Sequence, residues 1–167
     1  KMKGTSVEGM LNKIFVGQMK SYIKCVNVDF ESSRIEDYWD IQLNVKGMKN
    51  LEDSFKDYVQ VETLDGENQY QATGFGLQDA KKGVVFTSFP PVLHLQLKRY
   101  DFDFIREQMV KINDRYEFPT EIDLAPYLDE SIVPEESCEY ALHGVLVHCG
   151  DLNIGHYYAL IKPKKDG

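Results

Sequence analysis

Four histidines and three cysteines are the side chains here suited to moving a proton near neutrality, and one histidine has a telling position. His156 follows Gly155, whose lack of a side chain lets the backbone approach closely, and a strand pattern begins directly after it. An imidazole titrates at about 6.5 in model peptides, so modest tuning lets one accept a thiol proton and return it to a leaving amine. Spacing alone does not separate that role from an ordinary surface or structural histidine. His94 and His143 alternate with apolar neighbours in strand-like segments, the pattern of core or sheet histidines, whereas His148 lies across a glycine-rich loop from His156 and could line the same cleft.

A Cys–His pair needs a thiolate within hydrogen-bond reach of the base and a third group to orient the imidazole. None of the cysteines meets that need in sequence. Cys149 is near His156 but separated from it by a hairpin, Cys25 falls in a strand, and Cys138 sits in an acidic connection. The chain has no His-x-x-x-His or Cys-x-x-Cys pair to fix metal ligands on one face, so neither a metal nor any other cofactor is expected.

The elements that must position these residues belong to a globular chain. It has 167 residues, 43% hydrophobic and 28% charged, enough for one domain with a real core. No stretch approaches the roughly 20 apolar residues of a membrane span, and Lys1-Met2-Lys3-Gly4 leads into no signal-type run. Three irregularly spaced cysteines suggest a reducing compartment, cytoplasm or nucleus. The net charge of -8 argues against a nucleic-acid partner and for a basic one. Nothing in the spacing speaks to oligomeric state.

Strand patterns cover Lys13 to Val16, Ser21 to Asp29 and Trp39 to Val45. Asn50 should cap a short helix through Val59, with Leu51, Phe55 and Tyr58 on one face. The Asp65-Gly66 turn signal suggests a hairpin over Val61 to Gln71. Gly83 to Phe89 and Val92 to Leu97 read as two substantially buried strands broken by Pro90-Pro91. Tyr100 to Ile105 reads equally as strand or loop, and Phe118-Pro119 as a turn before one short helix near Leu124, Tyr127 and Leu128. Glu135-Glu136 forms part of a solvated acidic connection, and Tyr140 to Val147 and Tyr157 to Lys162 read as strands joined by the loop Gly150 to Gly155. The fold class is α+β, rich in antiparallel strands.

Four ordered segments carry a resemblance: Phe89-Pro90-Pro91-Val92-Leu93-His94-Leu95-Gln96-Leu97-Lys98-Arg99-Tyr100, Phe118-Pro119, Tyr140 with Val147-His148-Cys149-Gly150-Asp151, and Gly155-His156-Tyr157-Tyr158. Together they resemble the ubiquitin-specific proteases, over essentially the whole chain. The run Ser21 to Phe30 with Asp40-Ile41-Gln42-Leu43 looks closest to the herpesvirus-associated branch and its fungal relatives. The resemblance implies a right-hand, papain-like architecture, with fingers at about 13–88 and, at about 89–167, a palm with two blocking loops, Tyr100 to Lys111 and Gly150 to Gly155. It implies that His156 is the general base, and that Leu97, Tyr100, His148, Asp151 and Tyr157 contact ubiquitin, whose tail carries arginines suited to an acidic surface.

Departures from the family pattern also carry expectations. Cys25 is followed by Val28, and Ala72 and Phe75 stand where many members have a second Cys-x-x-Cys pair, so apolar packing should replace zinc in the fingers. The box bearing the nucleophilic cysteine and the strand bearing the third triad member are not among these residues. The resemblance therefore implies a partial catalytic domain, inactive alone, of a thiol-dependent enzyme that hydrolyses the isopeptide bond at ubiquitin's terminal glycine in ubiquitinated proteins. A non-catalytic ubiquitin-binding module is the alternative. Strand faces left uncovered in such a piece should promote aggregation.

Overall fold

The computed structural model describes residues 3–134 and 136–163. Lys1, Met2, Glu135 of the expected acidic connection, and residues 164–167 lie outside the described residues. In chain order the elements are α1 (Met10–Phe15), β1 (Gly17–Cys25), β2 (Glu31–Tyr38), β3 (Ile41–Asn44), α2 (Leu51–Tyr58), β4 (Glu62–Leu64), β5 (Tyr70–Ala72), β6 (Gly76–Gln78) and β7 (Ala80–Ser88). There follow β8 (Leu95–Lys98), β9 (Tyr100–Asp103), β10 (Gln108–Lys111), β11 (Glu121–Asp123), β12 (Glu139–Ala141), β13 (Gly144–Gly150) and β14 (Gly155–Ile161). Short 3-10 turns occupy Gly66–Asn68 and Ala125–Tyr127.

The largest sheet runs β2-β1-β7-β4 and is antiparallel throughout. Four antiparallel hairpins or pairs surround it, β5-β6, β9-β10, β11-β12 and β13-β14, together with one parallel pair, β3-β8. Ile41 and Leu43 of β3 are fully buried while Gln42 and Asn44 are exposed, the period-2 alternation of a strand covered on one face. In α2 the Asn50 side chain accepts a hydrogen bond from the Asp53 N–H at 2.8 Å, and Leu51, Ser54 and Phe55 turn inward, as their spacing requires.

Phe86 of β7 sits at the centre of the core, fully buried among four other rings. Tyr38 and Phe55 meet it edge-on at centroid distances of 5.6 and 6.3 Å, Tyr58 stacks at 5.6 Å and Phe89 lies at 4.8 Å. Two buried hydroxyl networks are satisfied locally, while the buried Thr87 hydroxyl has no hydrogen-bond partner among the described residues. Ser54 Oγ donates to the Asn44 carbonyl at 2.6 Å and accepts the Tyr116 hydroxyl at 2.8 Å, while the Tyr140 hydroxyl donates to the carbonyl of buried Pro90 at 2.6 Å. Burial holds the Tyr38 and Tyr140 phenols above their ordinary pKa, Tyr140 at about 12. A second apolar cluster joins Cys25, Ala72 and Ala80 to Val28, Phe30, Leu64 and Tyr70, so three of the four positions where zinc pairs were sought pack as a small hydrophobic core, while Phe75 is half exposed and meets Phe30 edge-on at 6.0 Å.

Several local expectations give way. Lys13 to Val16 lies mostly in helix α1 rather than a strand, and β1 begins four residues earlier than Ser21. Val61 to Gln71 is not a hairpin, because β4 pairs with β7 and β5 pairs with β6. The segment Val92 to His94 is irregular, and β8 alternates between half-buried and exposed residues instead of being buried throughout. Tyr140 to Val147 is interrupted at Leu142 and His143, giving β12 and β13 separate partners. His94 and His143 lie outside strands and are exposed, so neither is a core histidine; His94 stacks on Phe15 at 5.3 Å.

Candidate active site

The β13-β14 hairpin carries His156. Its register pairs Gly150 with Gly155, Cys149 with His156, His148 with Tyr157 and Val147 with Tyr158. Residues paired directly across an antiparallel ladder project to the same face, and successive residues to opposite faces. Cys149 and His156 therefore share one face, while His148, Gly150, Gly155 and Tyr157 share the other. The hairpin thus brings Cys149 beside His156 rather than separating them, although among the described residues no hydrogen bond joins the two side chains. Both residues are exposed.

Three other expected site residues converge. The Tyr100 hydroxyl lies 3.0 Å from His148 Nδ1, and the His148 ring packs against Tyr157 at a centroid distance of 4.6 Å. Partial burial, with the Tyr157 hydroxyl beside it, raises the Tyr100 phenol above its ordinary pKa. The His148 imidazole also lies directly over Gly155, where an added Cβ would come within 2.6 Å of Cε1 and closer still to Nε2. Gly155 is required by this close approach, and Gly150 by a φ of 108°, in the region that disfavours side chains.

Asp151 opens the loop between the two strands, and its N–H donates to the Ile154 carbonyl at 2.9 Å. Leu97 is not brought into this group; it is half-buried in β8 and packs against the main core. A residue that spacing did not single out joins instead. Lys111, at the end of β10, donates to the Gly150 carbonyl at 2.6 Å and to the His148 carbonyl at 3.3 Å. Only the packing of the β9-β10 hairpin against β13-β14 reveals it. No cluster of three or more His, Cys, Asp or Glu side chains able to hold a metal ion occurs among the described residues. Nor is any helix among them long and apolar enough to cross a membrane.

The arrangement offers an accessible imidazole on a ribbon whose turn is fixed by two glycines and whose opposite face is held by an aromatic and ammonium group. It can present a base to a thiol approaching on the His156 face. Over residues 1–167 the chain matches the family model described as ubiquitin carboxyl-terminal hydrolase. It is 69% identical over 166 residues to ubiquitin carboxyl-terminal hydrolase 15 of Schizosaccharomyces pombe, and 61% identical over 171 residues to ubiquitin carboxyl-terminal hydrolase 15 of Saccharomyces cerevisiae. These matches cover 99% and 97% of this chain but only 15% and 14% of those relatives, so the chain spans about a seventh of their length. Among solved structures, that of the SAGA Ubp8/Sgf11/Sus1/Sgf73 DUB module bound to ubiquitin aldehyde superimposes with a TM-score of 0.80 at 27% identity, covering 93% of this chain and 35% of the matched one. The antiparallel sheets, the His156 hairpin and a family match running from end to end lead to one conclusion: the chain belongs to the ubiquitin carboxyl-terminal hydrolase family.

Proposed function

We propose that the intact protein is a thiol-dependent deubiquitinase, cleaving the isopeptide bond after ubiquitin's terminal glycine, with His156 as general base. The observation that carries this reading is the exposed His156 on a glycine-fixed hairpin, in a chain of this family. The thiol comes from a part of the intact protein outside these 167 residues, which alone release no product. His156 accepts the thiol proton as sulfur attacks the glycine carbonyl, then delivers it to the departing lysine amine; a water deprotonated by the same imidazole hydrolyses the thioester. Tyr100, His148, Asp151 and Tyr157 contact ubiquitin beside the path of its tail, and Leu97 contacts it from a separate place in β8. Residues of about 13–88 form the fingers and about 89–167 the palm. Ubiquitin and ubiquitinated proteins are the partners, in the cytoplasm or nucleus, without nucleic acid or membrane.

In the intact protein, His156→Ala should lower kcat for a ubiquitin-linked fluorogenic amide by about 10³-fold while ubiquitin affinity changes little. Cys149→Ser should leave kcat within about twofold, since Cys149 is a ladder neighbour and not the nucleophile. Collapse of affinity with turnover of bound substrate intact would make His156 a binding residue. Ubiquitin binding by wild type without any turnover would favour the non-catalytic ubiquitin-binding module.

A further inference from the structure

Among the described residues, little burial positions the His156 hairpin. All seven residues of β14 are exposed, and among the described residues every side-chain hydrogen bond reaching β13-β14 from another element comes from β9-β10. Those bonds originate from a single cross-strand pair. Lys111 and Tyr100 are register partners at the open end of the β9-β10 hairpin, so they project to the same face and grip the same short stretch of β13. Tyr100 meets His148 Nδ1, and the half-buried Lys111 ammonium meets the carbonyls of His148 and Gly150. Cys149, the ladder partner of His156, lies between those two carbonyls in sequence, and Gly150 pairs with Gly155 immediately before His156.

We propose that Lys111 is a positioning residue for His156. Its two bonds fix the peptide unit that joins His148 to Cys149 and the one that joins Gly150 to Asp151, and the ladder passes that constraint to the backbone of His156. An ammonium suits the task, because charge-assisted bonds to carbonyls are stronger than neutral ones and its tetrahedral donors reach two acceptors at once. Tyr100 acts on the same stretch through an imidazole, whereas Lys111 acts on the main chain. Loss of the Lys111 bonds frees the turn at residues 150–155 without removing any group that touches the scissile bond. The inference rests on the deubiquitinase reading and deepens it.

The test compares wild type, Lys111→Met and Lys111→Arg in the intact protein, using ubiquitin carrying a C-terminal fluorogenic amide. Wild-type turnover comes first; its absence overturns the hydrolase reading and this proposal with it. Given turnover, Lys111→Met should lower kcat by about 10- to 100-fold, the scale expected when a reacting group is displaced by about 1 Å, with KM changed by less than about threefold. Lys111→Arg, which keeps a cationic donor, should restore most of kcat. Amide exchange should accelerate across residues 149–156 in Lys111→Met while protection of β1 and β7 persists. If β1 and β7 lose protection too, Lys111→Gln, which keeps one donor, replaces it and should show a smaller fall in kcat alone. A kcat within twofold of wild type overturns the proposal, as does a loss confined to KM, which would make Lys111 a ubiquitin contact.

Discussion

Gly155→Ala tests the geometry before His156 most directly. A Cβ at this position would lie 2.6 Å from His148 Cε1, closer still to Nε2, and 3.0 Å from the Cys149 carbonyl oxygen. Carbon atoms settle at about 3.5–4.0 Å, so something must move by about 1 Å. One route swings the His148 ring away, breaking its contact with Tyr100 and its packing on Tyr157. The other displaces the main chain that carries His156, and the nearby Cys149 carbonyl pushes in that direction. A displacement of about 1 Å at a reacting group costs about 10²-fold in rate, or about 2.7 kcal/mol of barrier. Steady-state hydrolysis of the ubiquitin amide by the intact protein would read this as a lower kcat with KM little changed. The assignment to His148 is tested by a double-mutant cycle. Removing the ring by His148→Ala creates the space that the added methyl group would need, so the double variant should be less impaired than the product of the single effects by about tenfold, or about 1.4 kcal/mol. Single effects that multiply to within about twofold would refute the reasoning, as would a Gly155→Ala enzyme with wild-type kcat.

Three further outcomes concern stability, read from unfolding of the domain within the intact protein. Phe86→Ala should destabilise it by about 3–5 kcal/mol, because the ring is fully buried among four other aromatic side chains, whereas Phe104→Ala at an 84% exposed site should cost under about 0.5 kcal/mol. Ser54→Ala should cost about 1–3 kcal/mol by stranding the Tyr116 hydroxyl and the Asn44 carbonyl, and Tyr116→Phe in that background should recover part of the loss. Asp129 is held at a pKa of about 2, first by Lys20 at 2.6 Å and then by the Ser131 N–H and hydroxyl. Its folded value lies below the unfolded value of about 3.9, so the stabilisation is full above about pH 5 and is lost as pH falls through about 2. Asp129→Asn should cost about 1–2 kcal/mol at pH 7, after allowance for solvent screening, and the gap from wild type should close by about pH 1.

What could be read in the sequence was whatever is encoded within a few residues. Asn50 followed by Leu51, Phe55 and Tyr58 specifies both the cap and the buried face of α2, and the structure has both. The apolar and glycine-bearing motifs around Pro90-Pro91 and His156 carried the family. Elements that bury little left no such trace. Helix α1 has no buried residue; Met10, Leu11, Ile14 and Phe15 recur at helical spacing, but the β-branched and aromatic run Ile14-Phe15-Val16 at its end reads locally as a strand. Strand β2, Glu31–Tyr38, is an edge strand with polar residues on both faces; its order comes from eight register pairs with β1. The β3-β8 pair joins segments about fifty residues apart in the chain, and β4 turns to β7 instead of closing a local hairpin, because pairing across a sheet outweighs a local Asp-Gly turn signal. The bonds of Lys111 to β13 were invisible for the same reason, although the resemblance placed it at the end of a loop beside the cleft. Its acceptors lie 37 and 39 residues further along, and only the docking of two hairpins makes it part of the site.

The placement of His156 follows from this division between core and site. An isolated two-stranded ribbon is marginally stable in water, and β13-β14 is close to that condition: Leu146 is 79% exposed, Tyr157 64% and Leu160 59%. Among the described residues, hydrophobic burial therefore fixes the sheets around Phe86 but contributes little to the hairpin that bears the base. What orders the hairpin, among the described residues, is its own ladder, two glycines at the turn, and the polar grip of Tyr100 and Lys111. Regions held in this way belong to the low-stability end of a protein and open before the core does. The two kinds of variant should consequently separate. Phe86→Ala should lower the unfolding midpoint while the molecules still folded retain wild-type kcat, whereas Lys111→Met should lower kcat with a midpoint shift of only a few degrees. If Phe86→Ala reduced kcat as much as Lys111→Met did in fully folded samples, core and hairpin would be one cooperative unit, and the clamp would not be what positions the base.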